Sequence, residues 1–78
     1  MAADLSRKDV QTALAKVLLE RVRQDNYPSQ TQMDLLEEVI PPELVRDYVN
    51  VLLEKTLMSR WPSISLLRRL QRVTARLP

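Results

Sequence analysis

The chain contains no glycine, no cysteine, no histidine and no phenylalanine. Each absence removes a class of structure or chemistry. Glycine is the usual residue at positive φ, so without it tight hairpins and phosphate-cradling loops are disfavoured, and with them sheets, P-loops and dinucleotide-binding turns. Without cysteine there are no disulfides, no thiolate metal sites and no thiol nucleophile. Histidine is the commonest metal ligand and general base, and its loss weighs against catalysis.

Long apolar runs are also missing: the stretch Val51-Leu52-Leu53 is only three residues long, far short of a membrane span. Residues 1–10 carry Asp4, Arg7, Lys8 and Asp9 with no apolar core, unlike a secretory leader. These readings predict a soluble, cytoplasmic protein. At 78 residues, 45% of them hydrophobic, the chain has room for one small domain and is too apolar for disorder.

What is present is organised by a repeat. Shifted by 34 residues, the sequence aligns with itself without a gap. Val17-Leu18-Leu19-Glu20-Arg21 falls on Val51-Leu52-Leu53-Glu54-Lys55, and Tyr27-Pro28-Ser29 falls on Trp61-Pro62-Ser63. Met33, Leu36 and Val39 meet Leu67, Leu70 and Val73, while Val10 and Leu14 meet Leu44 and Tyr48. Tetratricopeptide repeats share this period, but their small Gly and Ala positions have no counterpart here, and two units are too few for a solenoid. The pattern predicts an all-α fold: a compact four-helix domain over 1–78, made of tandem helix–loop–helix units at 7–40 and 41–74 with pseudo-twofold character.

Local signals place the helices. Ser6 with Asp9 has capping-box spacing, and Leu5 with Val10 has the spacing of a hydrophobic staple. Val10, Ala13, Leu14, Val17, Leu18 and Val22 then follow helical periodicity, so helix 1 is expected from Arg7 to Gln24. Pro28 breaks it, and Ser29 with Gln32 forms a second capping box opening helix 2, which runs through Val39. Pro41-Pro42 ends helix 2, and Pro42 is suited to the first position of helix 3, expected to reach Met58. Helix 4 is expected from Ile64 to Leu77. At each Tyr/Trp-Pro-Ser joint the serine caps the following helix, and the aromatic ring is expected to pack over the junction. Trp61 alternatively serves as a partner anchor, since tryptophan favours interfaces.

Three features bear on function. On helix 3, Leu44, Tyr48, Val51, Leu52 and Thr56 match the core positions of helix 1, while Val45, Val49 and Leu53 form a second apolar stripe. So broad an apolar arc indicates a helix covered on two sides, by its own chain or by a partner. The second feature is charge. Residues 1–50 hold six Lys/Arg against nine Asp/Glu, a net of −3; residues 51–78 hold six against one, a net of +5. The third follows from the repeat: Asp34 aligns with Arg68 and Glu38 with Arg72. Helix 2 therefore offers an acidic face (Asp34, Glu37, Glu38) and helix 4 a basic one (Arg68, Arg69, Arg72, Arg76).

A basic helix face suits an acidic protein surface, a phosphate backbone or an anionic membrane. Nucleic acid ranks second, because the net charge is only +2 and the acidic half repels phosphate. The membrane ranks third, because helix 4 contains no lysine and no large aromatic. Catalysis ranks last. Glu37 and Glu38 are adjacent and point apart on a helix, and Ser59, Ser63 and Ser65 have no histidine to activate them. The sequence thus predicts a non-catalytic adaptor or regulator that needs no cofactor or metal and binds another protein. Contact is expected through Val45, Val49, Leu53, Trp61, Arg68, Arg69, Arg72 and Arg76. Self-association would pair Asp34, Glu37 and Glu38 of one copy with the helix 4 arginines of the next. The alternative is a small accessory protein holding nucleic acid phosphates on helix 4.

Overall fold

The computed structural model describes residues 5–78; residues 1–4, the start of the segment judged unlike a leader, lie outside them. The described residues form four α-helices and no strand: α1 (Arg7–Gln24), α2 (Gln30–Val39), α3 (Pro42–Met58) and α4 (Ile64–Thr74). The chain divides into two compact units, Met1–Pro41 and Pro42–Pro78. The first is an α1–α2 pair and the second an α3–α4 pair, with each pair in contact along its helices.

Helix starts are set by side chains that satisfy otherwise orphaned backbone N–H groups. At α1, the Ser6 hydroxyl accepts from the Asp9 N–H at 3.1 Å, and the Asp9 carboxylate accepts from the Ser6 N–H at 3.3 Å. At α2, Ser29 Oγ accepts from the Gln32 N–H at 3.0 Å, and Gln32 Oε1 accepts from the Ser29 N–H at 3.4 Å. Ser63 caps α4 by accepting from the Leu66 N–H at 3.0 Å. That cap is one-sided, because its third helical residue is leucine and has nothing to return.

Helix ends have equally local causes. Asp25 adopts extended geometry and its carboxylate accepts from the Tyr27 N–H at 3.1 Å, an Asx turn that carries the chain off α1. Ile40 is extended (φ −66°, ψ 126°), as expected of a residue before proline, and Pro41 has no N–H with which to continue α2. No described residue has positive φ, so every turn is built without the geometry that glycine usually serves. Helix α4 is shorter than its sequence suggested. After Thr74 the bonds tighten to Arg76 N–H to Val73 O (2.9 Å) and Leu77 N–H to Thr74 O (3.1 Å), a 3₁₀-like turn. Thr74 also donates its hydroxyl back to the Leu70 carbonyl at 2.7 Å.

The Ser29 cap is a direct test of this account. Ser29→Ala is expected to destabilise the chain by about 1 kcal/mol and lower its Tm by about 4–8 °C, read by thermal circular dichroism.

In the first unit the buried residues are Ala15, Leu18, Leu19 and Val22 of α1, with Met33, Leu36 and Ile40 from α2 and its end. The α1 set has i, i+3, i+4, i+7 spacing, one face of a helix. It includes Leu18 and Val22 of the expected row but not the other four residues. Val10, Ala13, Leu14 and Val17 have the same spacing but lie on the exposed side. In the second unit the buried residues are Val45, Tyr48, Val51 and Leu52 of α3, with Arg69 and Val73 of α4.

Burial therefore does not follow the 34-residue offset. Tyr48 and Val51 are buried whereas their counterparts Leu14 and Val17 are exposed; Leu19 is buried and its counterpart Leu53 is exposed. At 100° per residue, the buried faces of α1 and α3 are rotated by roughly a quarter turn relative to the repeat.

Candidate interaction surface

The Tyr/Trp-Pro-Ser joints are built as capped helix starts, but their aromatic rings do not cover the junctions. Tyr27 is 90% and Trp61 85% exposed. The serine of each joint does its expected work, and the ring beside it is left in solvent. Neither the lone tryptophan nor its counterpart Tyr27 therefore packs over its helix junction.

Around Trp61 the second unit gathers further exposed apolar side chains. Leu57 and Met58 occupy the last turn of α3, and Ile64 and Leu67 the first turn of α4. The connection 59–63 joins these two turns, so all five residues belong to the same end of the helical pair. None of this end except Trp61 was singled out from sequence. The available signal was that Leu57 extends the Val45–Val49–Leu53 stripe by one further i+4 step.

That stripe is not uniform. Val45 is buried, Val49 is half-buried and Leu53 is exposed. Its N-terminal end is core, and only its C-terminal end is open to a partner.

The arginines of α4 also separate. Ile64, Arg68 and Arg72 follow i, i+4, i+8 spacing and are exposed, opposite the buried or half-buried Leu66, Leu70 and Val73. Arg69 lies 100° round from Arg68, three residues after Leu66 and four before Val73, and is only 6% exposed. It sits within the packed side of the helix. Arg76 falls in the turn after α4 rather than on the helix, so it does not extend the Arg68–Arg72 row in α-helical register. Arg72 and Arg76 are engaged in contacts of their own. Among the described residues Arg60 and Arg68 form no ion pair. On α2, Asp34 and Glu38 share an exposed row, whereas Glu37 is half-buried to one side; Asp34 and Glu37 each make a contact within the chain.

Charge and apolar surface thus meet at one place in the second unit. From Lys55 to Pro78 there are six basic residues and no acid. An ion pair between Arg23 and Glu20, at 3.5 Å, lies on α1 in the other unit. Among the described residues no group of three or more His, Cys, Asp or Glu side chains could hold a metal ion, and no helix is long and apolar enough to cross a membrane. Compared with protein-family models, with curated proteins and with solved structures, the chain matches none.

Proposed function

We propose that this chain is a non-catalytic interaction module, an adaptor or regulator that binds another protein through its second unit. The observation that supports the reading most is the conjunction on one unit of exposed apolar residues with an exposed arginine row. Leu53, with Val49 at its edge, supplies apolar contact area, and Arg68 and Arg72 supply charge that sets orientation and on-rate against an acidic partner. Val45 and Arg69 are core in this reading and act by holding α3 and α4 in place. The exposed acids Asp34 and Glu38 on α2 give the same chain a surface of opposite sign, which supports head-to-tail association of copies.

The test is an affinity capture of the tagged protein from its native lysate, with and without nuclease. A discrete protein is expected in both lanes. The double variant Arg68→Glu/Arg72→Glu is expected to reduce its recovery at least about tenfold, as for removal of paired interface charges. The competing reading is phosphate binding by the acid-free stretch 55–78. It predicts recovery that collapses with nuclease and an affinity falling log-linearly with salt.

A further inference from the structure

The end of the second unit carries apolar side chains whose exposure is graded. Along the chain it rises from Leu53 (42%) through Leu57 (75%) to Met58 and Trp61 (both 85%), then falls through Ile64 (64%) to Leu67 (38%). The maximum lies at the connection between the helices, and exposure declines on both sides with distance from it. Anchors of a protein–protein interface work by filling pockets and being walled in by their neighbours. Here these apolar side chains are not walled in by the described residues of their own unit. Exposed apolar side chains gathered at one end of a small helical pair mark a surface suited to a partner.

The charges around the patch say what the cover is. Arg60 lies within the connection, next to Trp61, and Arg68 lies about one turn, roughly 6 Å along the axis, behind Ile64. Neither is neutralised by an ion pair among the described residues. On the α3 side the one nearby acid is Glu54, a turn before Met58, and no acid occurs from Lys55 onward. Apolar side chains at the tip with uncompensated arginines beside and one turn behind them match the layering of an anionic bilayer, whose acyl boundary lies beneath its phosphates. Tryptophan is also the side chain that favours the depth between those layers. We propose that this end of the α3–α4 pair inserts shallowly into an anionic membrane surface. Leu57, Met58, Trp61 and Ile64 enter the headgroup–acyl boundary while Arg60 and Arg68 hold lipid phosphates. The chain then rests on the bilayer as a peripheral protein, attached by buried apolar area and electrostatic attraction together. This goes beyond the protein-binding reading and does not depend on it.

The lone tryptophan sits in the middle of the patch and reports on it directly. The full chain is titrated with mixed phosphatidylserine/phosphatidylcholine vesicles and, separately, with pure phosphatidylcholine vesicles, exciting tryptophan selectively. The expected result is a shift of Trp61 emission to shorter wavelength with the anionic vesicles, weakened by salt and at least about tenfold weaker on neutral ones. Arg60→Glu is expected to weaken binding more than about fivefold. Leu57→Ser/Ile64→Ser is expected to abolish the shift while leaving circular dichroism unchanged, since both side chains are exposed.

An unshifted emission at saturating anionic lipid overturns the proposal. So does binding that survives the Leu57→Ser/Ile64→Ser change, which would mean that the arginines adsorb without the tip. The rival occupant is an acidic amphipathic helix of a protein, represented by a synthetic Leu/Glu peptide. A shift with that peptide and none with vesicles overturns the lipid assignment while leaving the protein-binding reading standing.

Discussion

Tyr48→Ala is expected to cost about 3–5 kcal/mol of stability, whereas Leu14→Ala, at the position equivalent by the repeat, costs about 1 kcal/mol or less. Tyr48 is the largest of the fully buried side chains. Truncating a buried aromatic removes its transfer energy and leaves a cavity, at a cost of about 3–5 kcal/mol. A chain of this length has a total stability on the order of 5–10 kcal/mol, so the loss is a large fraction of it and shifts the denaturation midpoint well below that of the parent. Leu14 lies on the exposed row of α1 and loses only part of a solvent-facing contact, about 1 kcal/mol or less. Urea denaturation followed by circular dichroism measures both. Equal losses at the two positions would mean that the helical units bury equivalent faces, contrary to the rotation described above.

The second large effect separates two neighbouring arginines. Arg69→Glu is expected to destabilise the fold by about 3–5 kcal/mol, the range found when a buried charge loses its compensation. It places a carboxylate at a site almost closed to water, where an unsatisfied charge is costly. Arg68→Glu, one residue earlier and exposed, is expected to change stability by no more than about 0.5 kcal/mol. The pair matters for any binding experiment on α4. A loss of binding in an Arg69 variant reports a lost fold, and only the Arg68 and Arg72 variants report on the surface. A fully stable Arg69→Glu protein would show that the guanidinium is not part of the packed side of the unit.

Helix positions were legible in the sequence because their causes are local. The Ser6–Asp9 and Ser29–Gln32 boxes and the Pro41-Pro42 stop act within three or four residues, so spacing alone reveals them. The end of α4 was not legible. Pro78 disfavours helix at Leu77, but the helix tightens earlier, through i→i−3 bonds that no residue type announces.

The buried face of α1 could not be chosen from sequence either. The rows Val10–Ala13–Leu14–Val17 and Ala15–Leu18–Leu19–Val22 have identical spacing, and each reads as a core stripe. Selection between them is made by tertiary packing, which periodicity does not contain. Arg69 is a different case. Its position between Leu66 and Val73 on the helix was available from the wheel, but the run Arg68-Arg69 invites grouping by charge. The exposed aromatic joints show the same limit in reverse: a capping serine is a local feature, whereas the resting place of the ring beside it is not.

Within each unit the contacts are made by helices consecutive in the chain, α1 with α2 and α3 with α4. Such pairing closes only short loops before native contacts form, and proteins dominated by local contacts fold in microseconds to milliseconds. The first pair is also complete in sequence before Pro42 is synthesised, so α1 and α2 can meet while the second pair is still emerging from the ribosome. A chain of this kind spends little time with its core rows open, which limits the chance of misassembly during synthesis.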